Sequence, residues 1–194
     1  MTGLRDSDSE IIGRIREGET ALFSHLVERY KDVSYSLACS LLRNDHDAED
    51  LLQDSFVKAF RGLSRFRQDS SFGVWLYRIV YNGCMNHIKS KGRSAATGRQ
   101  EDDHSLLNGP ADGTPLSEML VSERRVIIDG ILGSMKEQEA LMLRLYYLAE
   151  MNVSEIREIT GFSVAKVKIA LHRARESFRA KVMKRYGSVP HYIE

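Results

Sequence analysis

Near the C-terminus, two short apolar patterns of helical period are separated by a break only long enough for a turn. In residues 151–160, Val153, Ile156 and Ile159 share one face, and Gly161-Phe162 interrupts the pattern. Ser163 then stands where a helix N-cap belongs, and a second apolar face follows at Val164, Val167, Leu171, Ala174 and Phe178. The opposite face carries Lys166, Lys168, His172, Arg173, Arg175 and Arg179. Two helices joined by a short Gly-containing turn, the second one basic, form a helix-turn-helix whose second helix fits a DNA major groove. A solvated surface helix would also carry charge, but turn, cap and basic face coincide here.

The formal net charge of +1 hides strong segregation. Residues 61–99 carry eight basic residues against one acidic, and residues 161–194 carry eight against two. Residues 1–60 and 100–123 are acidic, the latter with six acidic residues and no basic one. Two separate basic blocks are two candidate phosphate-binding surfaces. No apolar run approaches the ~18 residues of a membrane span, and residues 1–10 lack an apolar signal core, so a cytoplasmic protein without membrane insertion is expected. Cys39 and Cys84 lie far apart and outside any CxxC. They read as buried small hydrophobes, not as a zinc site or a disulfide framework.

Helical spacing recurs through the chain. Residues 9–17 carry Ile11, Ile12 and Ile15; residues 20–42 carry Leu22, Phe23, Leu26, Val27 and Tyr30. In residues 47–63 a broad stripe runs through Ala48, Leu51, Leu52, Ser55, Phe56, Ala59 and Phe60. Residues 71–91 add Phe72, Trp75, Leu76, Ile79, Val80, Cys84 and Ile88, and helices resume over 116–132 and 136–148. No strand pattern survives. Residues 93–117 are acidic, rich in Gly, Ser and Asp, contain Pro110 and Pro115 and lack aromatics, which reads as a flexible linker. The expected fold is therefore all-α: a helical domain over 1–92, the linker, a helix-turn-helix (winged-helix-like) domain over 118–187, and a tail over 188–194.

Two further constellations lie in the first domain. From Arg65 to Phe72, arginines and aromatics interleave, and a helix follows with Trp75, Tyr77, Arg78 and Tyr81; Lys89, Lys91 and Arg93 close the block. Aromatic rings among basic residues suit single-stranded nucleic acid, each ring stacking on a base for ~1–3 kcal/mol. The polar stretch 68–71 can supply a pocket for a base taken out of a duplex. Phe66 and Phe72 serve equally well as core, so both readings stand. The second constellation is Asp47-Ala48-Glu49-Asp50-Leu51-Leu52-Gln53-Asp54-Ser55-Phe56. Asp45 or Asp47 is placed to cap the helix, and early acidic residues suit its macrodipole. Polar groups continuing through Gln53 and Asp54 go beyond capping and make a face that can dock on a basic partner. His46 and its acidic neighbours lack a ligand geometry, so neither a metal, a cofactor nor a catalytic group is expected.

In this order and spacing, the run from Asp47 to Phe56, the run Phe66-Arg67-Gln68-Asp69-Ser70-Ser71-Phe72 with Trp75-Leu76-Tyr77-Arg78-Ile79 and Asn82, and Ser163-Val164, Val167-Lys168 and Leu171-His172-Arg173-Ala174-Arg175 resemble the extracytoplasmic-function (ECF) sigma factors of the bacterial sigma-70 family. The resemblance covers most of the chain. It implies that Asp47, Glu49, Asp50, Gln53, Asp54 and Phe56 bind core RNA polymerase, at the clamp helices of its β′ subunit, with β as a further partner. It implies that Phe66, Arg67, Asp69, Ser70, Ser71, Phe72, Trp75, Arg78, Asn82, Lys89 and Lys91 recognise and melt the −10 promoter element. Ser163, Lys166, Lys168, Ile169, His172, Arg173, Arg175 and Arg179 would read the −35 element, Arg175 and Arg179 at phosphates. Promoter DNA, core polymerase and a sequestering anti-sigma factor are the implied partners, and the acidic linker would thread polymerase channels.

Two positions depart from the family pattern. Met151-Asn152 stand where a Gly is usual, and Ile169-Ala170 replace a Ser-Arg pair, which implies an unusual −35 preference with Ile169 against a thymine methyl. The competing expectation is a self-sufficient helix-turn-helix regulator that binds duplex DNA without polymerase. A helical enzyme on nucleic acid would need clustered carboxylates or an activated nucleophile, and the sequence offers neither.

Overall fold

The computed structural model describes residues 7–95 and 116–187; most of the linker and the whole 188–194 tail expected from sequence lie outside these. Among the described residues there is no strand. The elements are α1 (Asp8–Arg16), a 3-10 turn Thr20–Leu22, α2 (Phe23–Leu42), α3 (Asp45–Gly62), a 3-10 turn Leu63–Arg65, α4 (Phe72–Ala95), α5 (Leu116–Gly133), α6 (Glu137–Leu143), a π-helical turn Arg144–Leu148, α7 (Val153–Thr160) and α8 (Val164–Tyr186).

Local chemistry sets most of these boundaries. Ser7 and Glu10 form a reciprocal capping box at the start of α1, which buries Ile11, Ile12 and Ile15. The cap of α3 corrects the expectation of Asp45 or Asp47: Asn44 is the N-cap, its side-chain oxygen accepting from the Asp47 amide at 2.9 Å. Both aspartates sit inside the first turn, where their negative charge still interacts favourably with the macrodipole. Asn152 and Glu155 form a second capping box at α7, and Ser163 caps α8 by accepting from the Lys166 amide at 3.2 Å. Between α7 and α8, Gly161 adopts φ +72°, a left-handed C-cap that a side chain would strain.

The apolar residues form three clusters. Ile11, Ile12, Ile15, Leu26, Phe56, Ala59, Leu63, Phe66, Phe72 and Leu76 tie α1 to α2, α3 and α4. Gly73 lets α4 reach α2, because a Cβ there would stand 3.0 Å from Tyr30 Cε1. Ala38, Cys39, Ala48, Val80 and Cys84 join the C-terminal end of α2 and the middle of α4 to the start of α3. The third cluster crosses between the two halves of the chain: Leu37, Val74 and Tyr77 pack with Ile131, Leu141, Leu145, Ile156 and Ile159. Val164 and Phe60 correct the expected apolar faces, at 43% and 40% exposed. Each lies at the edge of a stripe wider than the face its neighbours cover.

Both thiols are free and buried, as their surroundings in the sequence suggested. Burial pushes Cys39 up to about 11 and Cys84 up to about 12. The fold disfavours the thiolate, so this contribution to stability is complete below the ordinary thiol pKa of 9.0 and declines as pH rises toward the raised values. Native protein at pH 8 should therefore react with a thiol-specific chromogenic disulfide only as fast as it unfolds. Urea midpoints should fall from pH 9 upward, and replacing both cysteines by Ala should flatten that decline.

Candidate nucleic-acid and polymerase interfaces

On α8, the buried stripe is Val167, Leu171, Ala174 and Val182. The helical period then places Ile169 near the middle of the outward face, with Lys166 and Arg173 on one side and Lys168 and His172 on the other. All five are exposed, Ile169 at 54%. Lys166 Nζ stands 3.6 Å from the Phe162 ring centroid, and His172 Nδ1 lies 3.6 Å from Glu176 Oε2. Ser163 acts through the cap, orienting the helix. Arg175 turns back on the fold: its Nε donates to the Tyr147 hydroxyl at 3.0 Å, and its guanidinium lies over the rings of Tyr146 and Tyr147. Arg179 is exposed farther along the helix. The result is a cationic face with an apolar centre, a form that can meet phosphates at its edges and a base methyl in the middle.

The loop 66–71 and α4 make the second surface. The structure decides between the two readings of its phenylalanines: Phe66 is 6% exposed and Phe72 is 2% exposed. Phe66 stacks on Trp75 at 4.8 Å between centroids, and Phe72 meets Tyr30 edge-on at 5.3 Å. In this conformation neither ring is open to a base, and both floor the loop. Trp75 is half-buried, while Arg67, Asp69 and Ser71 are exposed and Ser70 is half-buried above them. Ser71 Oγ accepts from the Val74 amide at 3.2 Å and so caps α4. Trp75, Arg78, Asn82 and Lys89 follow along one helical stripe.

On α3, Glu49, Asp50, Gln53 and Asp54 are exposed, and His46 Nδ1 lies 3.2 Å from Asp50 Oδ2. Two residues assigned to this face point elsewhere. Phe56 is 8% exposed and packs edge-on against Phe23. Asp47 reaches α4, with Lys91 Nζ at 2.6 Å and His87 Nε2 at 3.3 Å. Burial works against the Asp47 charge, yet the Lys91 ammonium holds the carboxyl below its ordinary range. Sequence reading missed Val57 and Phe60, exposed at 46% and 40% beside the polar row. The edge position of Phe60 in an over-wide stripe was the available signal, whereas Val57 lies outside that stripe, among the polar residues.

The C-terminal helices lie against the first four. Arg43 donates to the Met135 carbonyl and pairs with Glu137 at 2.8 Å. Arg78, assigned to DNA, lies 3.7 Å from Glu158 of α7. Among the described residues no group of three or more His, Cys, Asp or Glu could hold a metal ion, and no helix is long and apolar enough to cross a membrane.

The burial of the loop's aromatics has a direct consequence. Phe66→Ala and Phe72→Ala should each lower unfolding stability by ~3–5 kcal/mol with no nucleic acid present. Arg67→Ala and Asp69→Ala should stay within about 0.5 kcal/mol. Urea unfolding followed by circular dichroism separates the two classes, and equal effects would contradict the floor-and-rim arrangement.

Comparison with known proteins fits this geometry. The Sigma-70 region 2 model matches residues 26–94, and the Sigma-70, region 4 model matches residues 125–178, together more than half of the chain. The ECF RNA polymerase sigma-E factor of Haemophilus influenzae is 30% identical over 188 residues, covering 91% of this chain and 95% of that protein. The ECF RNA polymerase sigma factor SigW of Bacillus subtilis is 30% identical over 176 residues, covering 88% and 94%. The fold is similar to that of the sigma factor RpoE solved with the anti-sigma factor NepR from Bartonella quintana, at a TM-score of 0.67 and 20% identity over 82% of this chain and 96% of that one. The chain belongs to the sigma-70 family, among its ECF RNA polymerase sigma factors.

Proposed function

We propose that this chain is an alternative sigma factor that binds core RNA polymerase and directs it to promoters in the cytoplasm, acting as an initiation factor and not as an enzyme. In this reading residues 1–92 engage polymerase and the −10 element, 118–187 read the −35 element, and 93–117 connect them. Glu49, Asp50, Gln53 and Asp54, with Val57 and Phe60 beside them, are the polymerase-facing row on α3. Arg67, Asp69, Ser70, Ser71, Trp75, Arg78, Asn82 and Lys89 hold the displaced strand. Lys166, Lys168, Ile169, His172 and Arg173 read the duplex, and Arg179 tracks its phosphates. An anti-sigma factor, as with the Bartonella relative, is the regulatory partner. The observation that carries the reading is the coexistence of two different surfaces with exposed cations: a helix face on α8 suited to a duplex, and the polar loop 67–71 with the outward stripe Trp75, Arg78, Asn82 and Lys89 of α4 suited to a single strand. A self-sufficient regulator has no use for the second surface or for the acidic row.

The test is transcription in vitro with core polymerase from the source bacterium on a genome-derived promoter library. Promoter-specific initiation is expected. Asp50→Lys with Asp54→Lys should weaken association with core by about tenfold or more while leaving duplex binding intact. Lys168→Ala or Arg173→Ala should cost ~1–3 kcal/mol if the side chain reads a base, and should weaken all sequences equally if it meets a phosphate. Failure to bind core, with tight duplex binding by the chain alone, would establish the regulator instead.

A further inference from the structure

Helix α1 lies before residue 26, where the family-model match to the first half begins. Its apolar face accounts for its packing, but its polar side chains do something more specific. The Arg16 guanidinium donates to the Leu63 carbonyl from Nε at 3.2 Å and from a terminal nitrogen at 3.0 Å, and also to the Phe66 carbonyl. Leu63 begins the 3-10 turn that leads into the loop 66–71, and Phe66 is the first residue of that loop. Two turns earlier on the same helix face, Ser9 Oγ donates to Gln68 Oε1 at 3.0 Å. Gln68 sits at the apex of that loop with φ +60°, a left-handed conformation that a non-glycine residue keeps only when its surroundings hold it. The helix that makes these contacts is itself anchored: Asp8 accepts from both Arg29 and Tyr30 of α2.

We propose that α1 is a positioning element for single-strand capture, with Arg16 and Ser9 as positioning residues that fix the loop in a strand-accepting shape. Arg16 holds the entry of the loop by two carbonyls, and Ser9 holds its apex through the side chain of its one left-handed residue. The aromatic floor supports the loop from below but bonds to none of its exposed polar groups. Without the two α1 contacts, Gln68 is released toward ordinary backbone angles, and the exposed edge at Arg67 and Asp69 moves with it. The proposal rests on the assignment of this loop to the −10 element.

The experiment uses holoenzyme assembled from core polymerase and the full chain. The probe is a fluorescent single-stranded oligonucleotide carrying the −10 element recovered from the promoter library, with a scrambled oligonucleotide as reference. Arg16→Ala and Ser9→Ala should each reduce the preference for the −10 probe over the scrambled one, Arg16→Ala by about tenfold, as expected for loss of a charge-assisted hydrogen bond. Core binding and −35 duplex binding should be unchanged, a split that general destabilisation would not produce. If Arg16→Ala does not fold, Arg16→Lys and the exposed Ser9→Ala carry the test. Arg67→Ala separates the two levels of the argument. Loss of preference with Arg67→Ala but not with the α1 variants overturns the role of α1 alone. No loss with any of them overturns the loop assignment and the α1 proposal with it.

Discussion

A buried cation holds the two halves of this chain in one arrangement. Arg144 is 4% exposed, and an unpaired guanidinium at that depth would be destabilising by several kcal/mol. Its partners come from separate elements: Asp129 of α5 at 2.8 Å and the Ser36 hydroxyl of α2. It also opens the π-helical turn Arg144–Leu148, between an α6 packed into the shared core and the turn that leads to α7. Arg43 repeats the device from the other side. Its own backbone is left-handed at φ +50°, and its side chain spans to the Met135 carbonyl and Glu137. Apolar packing of Leu37, Val74 and Tyr77 supplies area, while the two arginines fix direction, because hydrogen bonds to charged groups are both stronger and more directional than apolar contact.

Helix α4 is where these constraints meet the candidate sites. One side of it closes the first-domain core through Phe72 and Leu76, and another enters the shared core through Val74 and Tyr77. What remains outward is the stripe of Trp75, Arg78, Asn82 and Lys89. Glu158 of α7 reaches the edge of that stripe at Arg78, and Asp47 of α3 meets the far end of the helix at Lys91. In this arrangement Arg78 and Lys91 are paired with carboxylates of other helices, whereas on the outward face of α8 His172 meets Glu176 of its own helix. The two candidate surfaces thus differ in how far their cations are engaged by other elements of the chain.

Much of this architecture is legible in the residues. Turn, cap and opposing faces of the helix-turn-helix follow from Gly161, Ser163 and the apolar spacing of Val167, Leu171 and Ala174, because each acts within a few residues of itself. The limits of sequence reading appear where a stripe is wider than the surface that covers it. Phe56 and Phe60 share such a stripe, yet Phe56 is buried and Phe60 is 40% exposed, since only a neighbouring helix decides where the covered zone ends. Phe66 and Phe72 show the reverse case, aromatics that the motif offers to bases and the core takes. Arg16 and Ser9 gave no signal at all, because their partners lie 47 and 59 residues away.

The sequence by itself determined the helices, the turn between α7 and α8, the two basic blocks and the family. These depend on period, local capping and composition, all short-range properties of the chain. Tertiary structure alone decided which cations pair with carboxylates of other helices, which aromatics floor the loop, and how α1 grips that loop. Those outcomes depend on which distant groups satisfy a buried charge or an open carbonyl, and a side chain's spacing along its own helix carries no record of a partner on another.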